Sequence, residues 1–135
     1  MGVRYLTDEE RKVLRVYGCD HMLCNRDGAL LDPELEKPEF IHRDGIGIFV
    51  IDVDQKVWIT FDHKYGEIHH SSLLAGGPVI AAGEVVISRG QLQSISNASG
   101  HYKPPPQSID VALRVLSELG VDVSRVKRFE IRVKP

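Results

Sequence analysis

The stretch that decides the fold is Val79-Ile80-Ala81-Ala82-Gly83-Glu84-Val85-Val86-Ile87-Ser88-Arg89-Gly90-Gln91-Leu92-Gln93-Ser94-Ile95-Ser96. Val79 to Ser88 has the Val and Ile density of a strand, Arg89-Gly90 is a turn, and Gln91 to Ser96 sets Leu92 and Ile95 among polar residues. Two such runs around a glycine turn pair as an antiparallel hairpin. A similar unit precedes it. Ile46 to Val53 is β-branched and aromatic, Asp54-Gln55 turns, and Lys56 to Asp62 alternates Val57, Ile59 and Phe61 against Lys56, Trp58 and Thr60. His21 to Leu31 reads as strand, turn and strand around Asn25-Arg26-Asp27-Gly28, where Asp-Gly supplies positive φ. A last strand is expected at Arg128 to Val133.

Two helices are expected to frame these strands. Thr7-Asp8-Glu9-Glu10 has the form of a capping box, and Val13, Leu14 and Tyr17 share a helical face, so a helix is predicted from Asp8 to Tyr17, ended by Gly18. Ser108 reads as the N-cap of a second helix, in which Ile109, Ala112, Leu113, Leu116 and Leu119 follow helical spacing up to Gly120. Asp32 to Asp44 holds two prolines and mixed charges and reads as a loop, while Gly76-Gly77-Pro78 breaks any helix there. The expected class is α+β: a single domain over residues 1–135, with a mostly antiparallel sheet of about five to seven strands and a helix near each end.

The chain has 135 residues, 42% of them hydrophobic and 27% charged, with 17 Lys+Arg against 19 Asp+Glu for a net charge of −2. That apolar content offsets the ordering entropy of folding and excludes bulk disorder. No apolar run approaches the ~20 residues of a bilayer span, and Met1 to Lys12 lacks the form of a secretory leader, so a cytoplasmic protein without membrane contact is expected. Near-neutrality argues against nucleic acid. The basic residues Arg125, Lys127, Arg128, Arg132 and Lys134 read as an edge strand guarded by charge. Cys19 and Cys24 are too few for a disulfide scaffold or a four-cysteine zinc site; they can lie on neighbouring arms of a hairpin, but the expectation is two reduced, partly buried thiols.

Two polar clusters hold the residue types of proton transfer. One is Glu67-Ile68-His69-His70-Ser71-Ser72, followed by Glu84; the other is Asn97-Ala98-Ser99-Gly100-His101-Tyr102. Ser71 or Ser72 with His101 and Glu84 would supply a hydrolase triad, but no G-x-S-x-G elbow is present. Six histidines are present, yet adjacent His69-His70 would point to opposite faces of a strand, and neither H-E-x-x-H nor paired C-x-x-C occurs, so no metal is expected. Gly76-Gly77 and Gly83 form no dinucleotide or Walker motif. Asn97, Ser99 and Gly100 are the candidate ligand-binding residues, since Ser99-Gly100-His101 offers backbone amides to an anion. The same residues are equally the types that fix a rigid loop.

The ordered blocks His69-His70-Ser71-Ser72-Leu73-Leu74-Ala75-Gly76-Gly77, Ala81-Ala82-Gly83-Glu84 and Ser99-Gly100-His101-Tyr102-Lys103-Pro104 resemble the core of the plant IQ-motif calmodulin-binding protein family, with its HHSSFLAGG, AAGR and SGHYRPT phrases. Arg4 to Arg11 is similar to that family's YLGPQER stretch, and Glu84 stands where the family has Arg. The resemblance implies a shared fold. It carries no calmodulin site with it, since the chain has no I-Q-x-x-x-R-G-x-x-x-R segment. The blocks also look like those at the C-terminal ends of bacterial toxins and effectors. That likeness implies an enzymatic module, delivered to a target-cell cytoplasm, with His70, Ser71, Ser72, Glu84, His101 and Tyr102 as catalytic candidates acting on a protein substrate. An ADP-ribosyltransferase is then the first reaction class, and NAD the cofactor it would bring. The alternative is a non-catalytic protein-binding module whose SGHY run is structural.

Overall fold

The structure is a computed structural model that describes residues 12, 14–32, 46–61, 78–98 and 105–130. Seven strands form one curled sheet: β1 (Arg15–Cys19), β2 (Met22–Cys24), β3 (Ile46–Asp52), β4 (Val57–Thr60), β5 (Val79–Ser88), β6 (Gln91–Ser96) and β7 (Lys127–Phe129). Their spatial order is β2-β1-β4-β3-β5-β6-β7. Every pairing is antiparallel except β6 with β7, which is parallel. One helix, α1 (Gln107–Glu118), supplies the crossover that a parallel pair needs.

The β5–β6 hairpin forms at the bounds its sequence predicts, closed by Arg89 at φ 49° and Gly90 at φ 78°. Both central residues of this turn are left-handed, as the twist of a two-residue hairpin demands. Asp20 (φ 50°) and His21 (φ 69°) close β1–β2 the same way without a glycine. At the β3–β4 turn, Asp52 Oδ1 accepts the amides of Asp54 at 2.9 Å and Lys56 at 3.0 Å.

Alternation along the strands divides the residues between two faces. One face carries Phe49, Ile51, Val57, Ile59, Val85, Ile87 and Ile95, and α1 closes over it with Ile109, Ala112, Val115 and Leu116. The opposite face holds a smaller cluster of Ile48, Val50 and Ala82, against which Leu14, Trp58 and Val79 pack. The curl brings the outer edge of β2 to the β5–β6 turn. There Leu23 N–H donates to the Gly90 carbonyl at 2.7 Å, Leu31 N–H to the Leu23 carbonyl at 3.0 Å, and Gly90 N–H to the Leu31 carbonyl at 2.7 Å.

Two close approaches fix the layers. A Cβ on Gly18 would stand 2.9 Å from the Leu119 carbonyl carbon and closer still to its oxygen, so β1 lies against the end of α1. A Cβ on Gly83 would stand 2.7 Å from the Ser96 carbonyl carbon and 3.0 Å from the Phe49 ring.

Three expectations are corrected. Of the predicted N-terminal helix, Lys12 is helical, but Arg15 to Tyr17 open β1 and Gly18 lies inside that strand; Asp8 to Arg11 and Val13 lie outside the described residues. The elements described therefore include one helix, near the C-terminus, rather than one near each end. Ser108 sits inside the first turn of α1 with a buried hydroxyl that has no hydrogen-bond partner; the cap position is Pro106. Cys19 and Cys24 are not two thiols but one disulfide, with Cα atoms 5.9 Å apart on the two arms of the β1–β2 hairpin. No helix among the described residues is long and apolar enough to cross a membrane.

Candidate functional site

Of the nine residues singled out from the sequence, Glu84 and Asn97 lie in described segments; His70, Ser71, Ser72, Ser99, Gly100, His101 and Tyr102 lie outside the described residues. Glu84 and Asn97 are brought to one place by the β5–β6 hairpin. Because Gly83 lacks a Cβ, Ser96 packs directly on β5, and its hydroxyl oxygen accepts the Glu84 amide at 3.4 Å and the Ala98 amide at 3.2 Å. Asn97 follows at once and is buried, at 3% exposure. Buried amides of this kind are held by hydrogen bonds, which suits a residue that orients a loop.

Cross-strand register places Thr60, Ile48 and Glu84 in one row on the face away from α1. Next to it, a cleft of about 260 Å³ opens on that side of the sheet, lined by Ile46, Val86 and Phe129, with Glu84, Ser94 and Ser96 as its polar members. Phe129, on the last strand, is 56% exposed. The cleft is smaller than the roughly 300–1,000 Å³ of pockets that enclose small molecules and cofactors. It is the right size for one or two side chains. An exposed aromatic on an apolar cleft is the residue type that anchors protein interfaces.

Strand β7 itself is charged. Arg128 pairs with Asp110 of α1 at 2.7 Å and with Glu130 at 3.2 Å, so this part of the basic C-terminal run is neutralised within the fold.

A larger, polar cavity of about 460 Å³ lies between the β1–β2 turn and the segment after α1, lined by Asp20, His21, Gln91, Gln93, Asp122 and Arg125 among others. The His21 carbonyl accepts the Asp122 amide at 2.9 Å, which ties the hairpin tip to that segment. Asp122 is held below the ordinary carboxylate range, first by the Ser124 hydroxyl at 2.7 Å and then by the Ser124 amide at 2.9 Å, with Arg125 and His21 adding to the effect. Nothing in the local spacing of the sequence announces this cavity, because its residues come from three distant segments. Among the described residues, no group of three or more His, Cys, Asp or Glu stands close enough to hold a metal ion.

Comparison with known proteins gives the family. The IQ motif-containing protein middle domain matches residues 21–109, about two thirds of the chain. The chain belongs to this family. The IQ domain-containing protein IQM3 of Arabidopsis thaliana is 42% identical over 80 residues, which are 59% of this chain and 17% of that protein. IQM4 and IQM1 of the same plant are each 32% identical over 129 residues, 96% of this chain, and the match spans 23% and 25% of their lengths. The IQM middle domain thus covers about a quarter or less of the relatives it matches. No solved structure matches. The relatives favour the binding-module alternative over the toxin and transferase reading, for which neither the family nor these relatives offer support.

Proposed function

We propose that this IQM middle domain is a non-catalytic protein-binding module, and that the cleft beside Phe129 receives side chains of the partner. The observation that carries this reading is the exposed Phe129 on an apolar cleft too small for a cofactor such as NAD. The reading assigns no reaction to His70, Ser71, Ser72, Glu84, His101 or Tyr102. It also places the partner away from α1, whose apolar face is spent on the core. Calmodulin grips the apolar face of a target helix, and α1 has none to offer. Calmodulin would therefore engage this chain through the cleft or through residues outside those described.

The test is a photo-crosslinking amino acid at Lys127, which is exposed and two residues from Phe129. Crosslinked proteins from plant cell extract are identified, calmodulin being looked for among them, then purified and titrated against the wild type and Phe129→Asp. A discrete partner whose affinity falls at least tenfold in Phe129→Asp supports the reading, since buried aromatic anchors are worth about 2 kcal/mol or more. No discrete crosslink, or an affinity indifferent to Phe129→Asp, overturns it.

A further inference from the structure

We infer that Arg15, held over the rings of both Tyr17 and Trp58, is a binding site for an oxyanion, a carboxylate or phosphate group. The site is independent of the Phe129 cleft: it lies on β1 and β4, away from β5, β6 and β7 in the strand order.

The register of the sheet builds it. Arg15 stands opposite Trp58 in the β1–β4 pair, and Tyr17 follows two residues along β1, so all three share one face. The Arg15 guanidinium carbon lies 5.0 Å from the Tyr17 ring centre and 5.7 Å from that of Trp58, both within cation–π range. The Trp58 wall is fixed from behind, because its indole N–H donates to Asp52 Oδ2 at 3.2 Å. The other oxygen of Asp52 is taken by the two turn amides, so this carboxylate is engaged in holding the turn and the indole.

Arg15 itself is left without such a partner. Its Nε is buried and makes no hydrogen bond, and its side chain forms no ion pair among the described residues. A guanidinium stacked on aromatic rings keeps its N–H donors in its own plane, and the two Nη groups, unlike the buried Nε, make a fork that is not closed off from solvent. That fork matches two oxygens of a carboxylate or phosphate at once, and stacking strips water from the faces so that an anion in the plane meets a stronger charge. Tyr17, 38% exposed, keeps the cluster at the surface, where a ligand can reach it.

Trp58 is the only tryptophan of the chain, so its emission reports on this cluster alone. The folded full-length chain is titrated with inorganic phosphate, with glutarate and with a hexaglutamate peptide, each against sodium chloride at matched ionic strength. The expected result is a saturable change in Trp58 emission with an oxyanion and none with chloride, and the arm that binds most tightly names the source. Arg15→Gln should weaken binding at least tenfold with an unchanged melting curve. Arg15→Lys should weaken it at least threefold, since an ammonium has charge but no planar fork. No saturable response to any of the three probes, or wild-type affinity in Arg15→Gln, overturns the inference. If Arg15→Gln does not fold, Tyr17→Leu removes one wall instead, and an unchanged affinity there overturns it equally.

Discussion

Replacing Gly83 by alanine tests how closely β6 lies on β5. The new Cβ would stand 2.7 Å from the Ser96 carbonyl carbon, nearer to its oxygen, and 3.0 Å from the Phe49 ring. The obstacle is backbone, so no rotamer change relieves it, and β6 must retreat by roughly an ångström at Ser96. That retreat also breaks the 3.4 Å bond from the Glu84 amide to the Ser96 hydroxyl, which is already at the limit of a hydrogen bond. Overpacking of this kind costs ~1–3 kcal/mol, and a main-chain clash in the centre of a sheet belongs at the upper end. With an unfolding entropy of about 2.1 cal/mol/K per residue, 3 kcal/mol lowers the melting temperature of a chain this size by about 10 °C. Thermal unfolding followed by circular dichroism measures it. Gly47→Ala is the comparison: there the Cβ meets a side chain, the Phe61 ring at 2.8 Å, rather than backbone, and the loss should be smaller. A Gly83→Ala melting curve within about 2 °C of wild type would refute the close approach and the site geometry built on it.

Three further outcomes follow from the same structure. Unfolded under non-reducing conditions, the chain should show no thiol to Ellman's reagent and two after reduction, and Cys24→Ser should cost about 2 kcal/mol from the loss of a short closed loop. Two thiols without reductant would sink the disulfide. Asp122→Ala should lower the melting temperature at neutral pH and do so less as the solution is acidified. Because the folded carboxyl is held below its ordinary value, its contribution is present above pH about 4 and is lost as pH falls through the lower folded value. A gap between the two melting curves that widens toward pH 2 contradicts that assignment. Phe49→Ala, which empties a fully buried site between sheet and helix, should cost about 3–5 kcal/mol in urea unfolding, and a cost under 1 kcal/mol would mean the core is packed otherwise.

The strands from Ile46 to Ser96 were legible because side-chain period and turn chemistry agree there: Val57, Ile59 and Phe61 are buried as their alternation requires, and Gly90 sits where the turn needs it. The helix at Gln107–Glu118 was equally plain, with Val115 joining the apolar face. The stretch before Cys19 misled because Val13, Leu14 and Tyr17 fit a helical face as well as a strand, and only pairing with Trp58 and Val57 on β4 settles Arg15 and Val16 as strand. The hairpin that makes Cys19 and Cys24 bridgeable was within the sequence reading, but the bond itself was not, because only the Asp20-His21 turn sets their Cα atoms at bridging distance. Glu84 and Asn97 were found from residue type, yet the atom that ties their segments together is the hydroxyl of Ser96, an unremarkable strand residue that accepts the Glu84 and Ala98 amides. Arg15 and Trp58 carried no local signal, being about forty residues apart in the sequence.

The clasp of Leu23, Leu31 and Gly90 has a consequence for how this sheet can meet other strands. One border of the sheet is closed by the chain's own amides and carbonyls, and the other carries Lys127 and Arg128. Among the described residues, a further strand finds Leu23 already paired at the first border and meets the exposed Lys127 at the second. Along its described residues the sheet is thus finished at its edges rather than open as a template for more strands, which leaves its faces and clefts for contact.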